Sequence, residues 1–528
     1  MRTPNMKTSF RYVFFLLALG LLSLCYDYPN VLLKRPQSVH NWRQCDGASL
    51  ALSYYQNGMH FFKPQTQGLY SDNFTTGFTA PSEIPLLYYF VAGLYSIFGY
   101  HEVIFRAVNL LLFFLGLFYL FRLGLEATRS VFYSLALVVI IFSAPVLVYY
   151  GNNYLPNTVA LSFSLIGWYY FYRYYKNEKT KTFMLSVLFF GIAGAMKVTE
   201  LTGPIIVLGM LLLERFGIFR TGVHAHRHLI PKLAALALIF ALVAGWILYA
   251  RSYNNLHGTA QFSTFIFPYW ELDQEAVAFV FHKMRVLWFS DYFYPPTFFL
   301  LLTGLILTSL LWKRTDKMLS FVSLALLAAI LGFSLLWFAA LGDHDYFFIG
   351  FYVLPVLVFI NLVLIFQRLT MNLFFKWAVQ LAVGIFLVVN VLHARERHAL
   401  RYNSWMNDYS EMQDLYTAGP FLRETGIHPG DTVVYYPSLN IRPLYLMNLR
   451  GWTLRDYPGP RPGIREKDSL AMAGYLANGA AYFIVNDTAT LRERDYLMHF
   501  TDTLFASHGR LQVYKLRPAQ SFTGIKSP

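Results

Sequence analysis

The sequence predicts a polytopic α-helical membrane protein followed by a small C-terminal α/β domain outside the cytoplasm. Three observations carry that expectation. Of 528 residues, 56% are hydrophobic and 14% charged, whereas soluble domains carry about a quarter charged residues. Apolar runs of membrane-spanning length recur through residues 1–392. Beyond residue 393 the pattern changes to short strand-like and helical segments.

The runs are oriented by their flanking charges. Arg2, Lys7 and Arg11 precede the first span, about 12–30, which places the N-terminus in the cytoplasm. The loop 31–102 is then external. Within it, the apolar stretch 84–99 is shorter than the ~20 residues a crossing helix needs. If it crossed, Arg122 and Arg129 would face outward. As an external juxtamembrane helix it puts those arginines, and the basic loops 173–181, 215–227, 313–317 and 368–376, on the cytoplasmic side. About eleven spans result. The outer side receives 31–102, the turns 152–157, 197–200 and 342–346, the loop 251–292 and the extracytoplasmic domain 393–528.

In the tail, 431–437 and 480–486 read as buried strands, 466–478 as a helix ending at Asn478-Gly479, and 505–516 as a hairpin turning at His508-Gly509. The net charge of +14 follows from the cytoplasmic Lys/Arg bias. It is scattered over short loops instead of forming one basic face, which argues against a nucleic-acid partner. Two cysteines, Cys25 and Cys45, make no disulfide framework, and their pairing stays open. No Walker A loop, dinucleotide fingerprint, zinc motif or Gly-x-Ser-x-Gly elbow occurs, which argues against an ATP-driven pump.

The ionisable residues that loop chemistry explains least well gather on the outer side. First is Asp46, in His40-Asn41-Trp42-Arg43-Gln44-Cys45-Asp46. A sugar hydroxyl is a weak nucleophile, so glycosyl transfer benefits from a carboxylate that accepts its proton. Pairing with Arg43, or capping a helix from Gly47, explains Asp46 equally well. Glu83, just before Ile84-Pro85, is a second carboxylate candidate, against ordinary N-terminal helix chemistry. Arg106 must snorkel outward or meet an anion. Lys197 either pairs with Glu200 or contacts a phosphate. His344 and Tyr346, in Gly342-Asp343-His344-Asp345-Tyr346, could donate to phosphate oxygens, and their spacing matches no metal motif. Asn153 and Asn157 sit in an outer turn that needs no function. Arg442, Arg450, Arg455, Arg461 and Arg465 read mainly as a solvated basic face.

Trp42-Arg43-Gln44-Cys45-Asp46, Glu83-Ile84-Pro85-Leu86, Phe98-Gly99 and Arg106 together resemble the membrane-embedded GT-C glycosyltransferases. The nearest group is the glycosyltransferase-39 type, related to protein O-mannosyltransferases and the lipid A aminoarabinose transferase. His344-Asp345-Tyr346 with Pro355, Asn448-Leu449-Arg450-Gly451-Trp452 and Asn478-Gly479-Ala480-Ala481-Tyr482 extend the resemblance over the chain. It implies a polyprenyl-phosphate-linked sugar donor and attack by an acceptor hydroxyl (of a glycan, lipid or protein) with inversion. It further implies a bacterial inner-membrane setting with the site on the periplasmic side. Asp46 matches the family's catalytic carboxylate. Arg106, Lys197, His344 and Tyr346 are candidates to hold the lipid phosphate, and His40, Trp42, Arg43, Asn153 and Asn157 to shape the site or bind acceptor. Two departures stand out: Gly47 follows Asp46 where many relatives have a second acid, and the 152–157 turn offers Asn153 and Asn157 instead of an acid. Metal-independent transfer, with no cofactor, is therefore expected, a divalent cation being left open. The competing classes are a transporter or flippase and a polymerase of lipid-linked glycans.

Overall fold

Proline sets the sharpest bends of the helical part. The computed structural model describes residues 8–220, 227–262, 266–369, 373–403, 412–455, 462–486 and 488–519. Val131–Phe142 and Pro145–Gly151 meet at 78°, and Gln274–Tyr292 and Pro295–Leu310 at 84°. In each pair Pro opens the second helix, where its missing N–H costs nothing and its fixed φ suits the first turn. Contacts divide the chain into two units. The first comprises residues 1–33, 106–246 and 264–400, the second 34–105, 247–263 and 401–528.

The first unit is helical. Among the described residues, five helices are long and apolar enough to cross a membrane: Glu102–Thr128, Leu229–Leu256, Lys317–Leu336, Asp345–Gln367 and Phe374–Asn403. Counting each bent pair as one span gives seven. The sequence expectation was about eleven. The difference lies in apolar runs that form helices too short or too polar for the length and composition test. Phe10–Cys25 and Thr180–Met196 are too short, and Asn157–Asn177 is rich in tyrosine. The protein is nonetheless a multi-pass helical membrane protein. The stretch expected at 84–99 is the 13-residue helix Leu86–Phe98.

The second unit contains a five-stranded sheet: β1 (Thr432–Tyr436), β2 (Arg450–Thr453), β3 (Tyr482–Val485), β4 (Thr501–His508) and β5 (Leu511–Leu516), in the order β2-β1-β3-β5-β4. β1 pairs parallel with β2 and β3, because helices Arg442–Met447 and Ile464–Ala477 supply the crossovers. β5 returns antiparallel to both β3 and β4, turning at Gly509, φ 58°. The expected strands, helix and hairpin all form, and β2 is an additional strand.

Two boundaries differ from the sequence expectation. Helix Leu373–Asn403 runs unbroken past 392/393, so that division falls inside it and the contact boundary lies at 400/401. The tail, moreover, does not stand alone. Leu69, from the first external loop, belongs to the same core as Trp452, Val434, Phe483 and Met472. The Gly451 N–H donates to Gln67 O (3.1 Å), the Leu69 N–H donates to Gly451 O (2.8 Å), and Trp452 Nε1 donates to Phe74 O (3.1 Å). Gly451 has φ 151°, and a Cβ there would lie 1.8 Å from Val433 O, so only glycine admits this close pairing. Cys25 and Cys45 are both free thiols.

Candidate functional site

The helix Asn41–Gln56 carries the first cluster. It follows His40, held at φ 53°, and Gln44 Nε2 anchors its first turns by donating to Gln37 O (2.9 Å) and Val39 O (3.0 Å). Asp46 lies inside the helix and caps nothing. Arg43, one turn earlier, faces the same way. Its Nη1 is 4.0 Å from Asp46 Oδ2, and its Nη2 bonds Glu83 Oε1. The guanidinium thus bridges the two carboxylates, as its planar fork permits, and it also lies over the Phe262 ring at 5.8 Å. Glu83 precedes helix Leu86–Phe98 and accepts from Tyr88 Oη (3.0 Å) and Ser82 Oγ (3.3 Å). Arg43, Tyr88 and Ser82 thus tie Glu83 into the cluster by side-chain bonds. The ring of His40 meets Trp42 edge-on at 6.5 Å, and both stay partly exposed.

Asp46 is 7% exposed. Burial pushes its carboxyl up to about 6; Arg43 pulls the other way, Glu83 pushes further up, and a hydrogen bond from Gln261 pulls down. At neutral pH the group is mostly ionised, yet basic enough to take a proton. Burial also holds the adjacent Cys45 thiol well above its ordinary value.

In the first unit, three of the phosphate candidates come together. Lys197 Nζ lies 5.7 Å over the Phe347 ring, His344 meets the same ring at 4.9 Å and stacks on Tyr346 at 5.4 Å. Tyr346 is buried, with its carbonyl accepting from Asn157 Nδ2 (3.3 Å). Beside it, Asp345 accepts from Tyr150 Oη (2.7 Å).

Arg106 has a different placement. It is 0% exposed, donates to Asn152 O and lies 4.7 Å over the Tyr154 ring. Asn109 donates to Asn153 O (2.7 Å) and Leu155 O (3.0 Å), and Asn153 Oδ1 accepts from the Tyr154 N–H (2.7 Å). Arg106 and Asn153 therefore build the 152–157 turn.

Arg450 lies in β2, Arg465 stacks on Tyr496 at 5.5 Å, and the Arg455 carbonyl accepts from Arg494 (2.8 Å). Arg461 lies outside the described residues. Among the described residues no group of three His, Cys, Asp or Glu could hold a metal ion. Gln261, whose amide helps pull the Asp46 carboxyl down, carries no signal in the sequence: it is one amide in a long external loop, with no local pattern around it.

Residues 80–249 match the family described as dolichyl-phosphate-mannose-protein mannosyltransferase. No curated protein matches the sequence. Among solved structures, apo ArnT from Cupriavidus metallidurans superposes with a TM-score of 0.60 at 11% identity, over 99% of this chain and 100% of that one. The same enzyme bound to undecaprenyl phosphate gives 0.54 at 12% identity, with the same coverage. The oligosaccharyltransferase of Archaeoglobus fulgidus, in complex with Zn and sulfate, gives 0.59 at 12%, over 89% of this chain and 67% of that one. The chain has the fold of the GT-C membrane glycosyltransferases that its motifs resemble.

Proposed function

We propose that this GT-C-fold chain is an inverting glycosyltransferase that moves a sugar from a polyprenyl-phosphate donor to a hydroxyl acceptor at the outer face of the membrane. The observation that carries the reading is the Asp46 carboxyl, buried, bridged to Glu83 through Arg43 and pushed up to about 6. That is the state a general base needs near neutrality. Asp46 takes the acceptor's hydroxyl proton as its oxygen bonds the anomeric carbon. The bond from that carbon to the donor's phosphate oxygen breaks with its electron pair, and polyprenyl phosphate leaves. Phosphate is a good leaving group, so no strong general acid is required. Cationic and hydrogen-bond-donating side chains that meet its growing charge are enough; Lys197 is proposed as the cation, and His344 and Tyr346 as donors. Arg106 positions the 152–157 turn.

We read the transfer as metal-independent. The place between Asp46 and Glu83, where a divalent ion would bridge two carboxylates, is taken by the Arg43 guanidinium. Support for the donor class comes from the family matched by 80–249 and from ArnT captured with undecaprenyl phosphate. Orientation follows from the loop charges: the cytoplasmic loops carry the Lys/Arg excess, which sets Asp46 on the external side, in bacteria the periplasm.

The test is transfer of radiolabelled sugar from polyprenyl-phosphate donors by the purified chain in lipid nanodiscs, with and without chelator. Label should move to a hydroxyl acceptor from a polyprenyl-phosphate donor and not from a nucleotide sugar, unaffected by chelator. Transfer only from nucleotide sugars would overturn the donor class, and complete loss in chelator would overturn metal independence. Label crossing a bilayer without transfer would favour the transporter.

A further inference from the structure

The first unit carries an apolar groove that sugar transfer leaves unused. It lies between helices Val131–Phe142, Pro295–Leu310, Val353–Gln367 and Leu373–Asn403, all in that unit. It encloses about 910 Å³, its open side included, between side chains such as Leu137, Phe359, Val363 and Val383. Among the described residues none of those lining it is charged. The last of the four helices is buried over only 6% of its most apolar stretch, so that wall meets the bilayer.

One end of the groove is basic. Thr128 and Phe366 line it there, and Gln367 Nε2 donates to Thr128 O (2.9 Å). That bond clamps two chain segments whose next residues are both arginines. Arg129 closes helix Glu102–Thr128 in the left-handed conformation, φ 54°, its N–H donating to Leu125 O (3.0 Å). Arg368 follows Gln367. Lys376 joins them, one turn before Val379 on the helical row that continues through Val383 and Leu387, so it extends the groove's wall toward the same end. All three cations are exposed. Glu126, one turn before Arg129, is already engaged by Tyr169 Oη (2.8 Å) and Arg173 (3.6 Å). On the orientation set by the loop charges, this end faces the cytoplasm. From Val379 to Leu387 the helix rises about 12 Å, within the roughly 15 Å that one leaflet of the hydrocarbon core provides. The groove therefore has the depth of an acyl chain with cations at the level of its head group.

We propose that this groove binds an anionic glycerophospholipid of the cytoplasmic leaflet, its acyl chains along the apolar walls and its phosphate at Arg129, Arg368 and Lys376. A zwitterionic lipid offers the same chains, so the selectivity is one of charge. Each cation near an anionic head contributes about fivefold in affinity. The site does not depend on which residue serves as the base in sugar transfer.

The test is native mass spectrometry of the full chain, delipidated in detergent and titrated with phosphatidylglycerol or phosphatidylcholine of matched chains. The wild type should bind phosphatidylglycerol in preference to phosphatidylcholine, by a margin that shrinks as salt rises. Arg129→Gln combined with Arg368→Gln should weaken phosphatidylglycerol by about thirtyfold and leave phosphatidylcholine unchanged. Ala136→Trp, which fills the groove, should weaken both lipids. The two arginines are exposed, so their variant keeps the idea testable if the tryptophan variant fails to fold. Equal binding of the two lipids by the wild type, an unmoved phosphatidylglycerol affinity in the arginine variant, or undiminished binding in a folded Ala136→Trp overturns the proposal. Tighter retention of undecaprenyl phosphate than of phosphatidylglycerol, or a lipid-free dimer that Ala136→Trp abolishes, would give the groove to another occupant and overturn it as well.

Discussion

Asp46 and Glu200 are both buried carboxyl groups, one in each unit of the chain, and they end in different states. Burial is the largest influence on each. It leaves Asp46 at about 6 and Glu200 at about 8. The difference lies in what surrounds them. Asp46 has the Arg43 guanidinium at 4.0 Å and an amide donor from Gln261. Glu200, in the turn between helices Thr180–Met196 and Thr202–Arg215, has the Ser164 hydroxyl and the charge of Lys197. Its Oε1 bonds nothing and lies 2.6 Å from where a Cβ at Gly350 would be. Near neutrality Glu200 is a protonated acid packed against the Gly350 backbone, whereas Asp46 is an ionised carboxylate. Burial alone does not set a carboxyl's charge; the compensation it receives does.

The largest expected effect separates the two directly. Asp46→Asn should reduce transfer by about a hundredfold or more, with folding unchanged by size-exclusion chromatography. Glu200→Gln should stay within about twofold at pH 7, because an amide mimics the neutral carboxyl. Reversal of that ranking breaks the comparison.

Next comes stability. Glu200's folded value, about 8, lies above its ordinary 4.5, so the folded chain binds a proton that the unfolded chain releases. The stabilisation from that proton is complete below pH 4.5 and is lost as pH rises through 8. Glu200→Gln removes the loss. Its melting temperature should exceed the wild type's by a margin that widens from pH 5 to pH 9, and a constant margin would contradict the assignment.

The smallest effect concerns Glu83. Its charge raises Asp46 and its carboxylate engages Arg43. Glu83→Gln should shift the acidic limb of transfer below 6 by less than about one pH unit. An upward shift would mean that Glu83 supports the ionised state of Asp46 rather than opposing it.

Much of this was legible in the sequence because it is local. Helical periodicity, loop charge and the short motifs around Asp46 and Glu83 lie within a few residues of one another. The strands at Thr432–Tyr436 and Tyr482–Val485 and the hairpin turn at Gly509 likewise announce themselves by pattern. What stayed hidden is long-range. Gly68 meets Gly451 through backbone groups, which no side-chain pattern encodes, so the tail read as a domain of its own. The pairing of Tyr249 with Phe62, Asn254 with Ala80 and His257 with Asp72 joins segments nearly two hundred residues apart. Arg106 read as an anion ligand because a cation near a membrane edge attracts that reading. Its full burial against Asn152 and Tyr154 could be found only in three dimensions.

The most direct measurement is the rate of sugar transfer by the unaltered chain, at saturating polyprenyl-phosphate donor, from pH 4.5 to pH 9.5. If Asp46 is the base, the rate rises tenfold per pH unit at the acid end, reaches half its maximum near pH 6 and levels off before 7.5. A midpoint near 8, where Glu200 titrates, or a rate flat across the range, would contradict it.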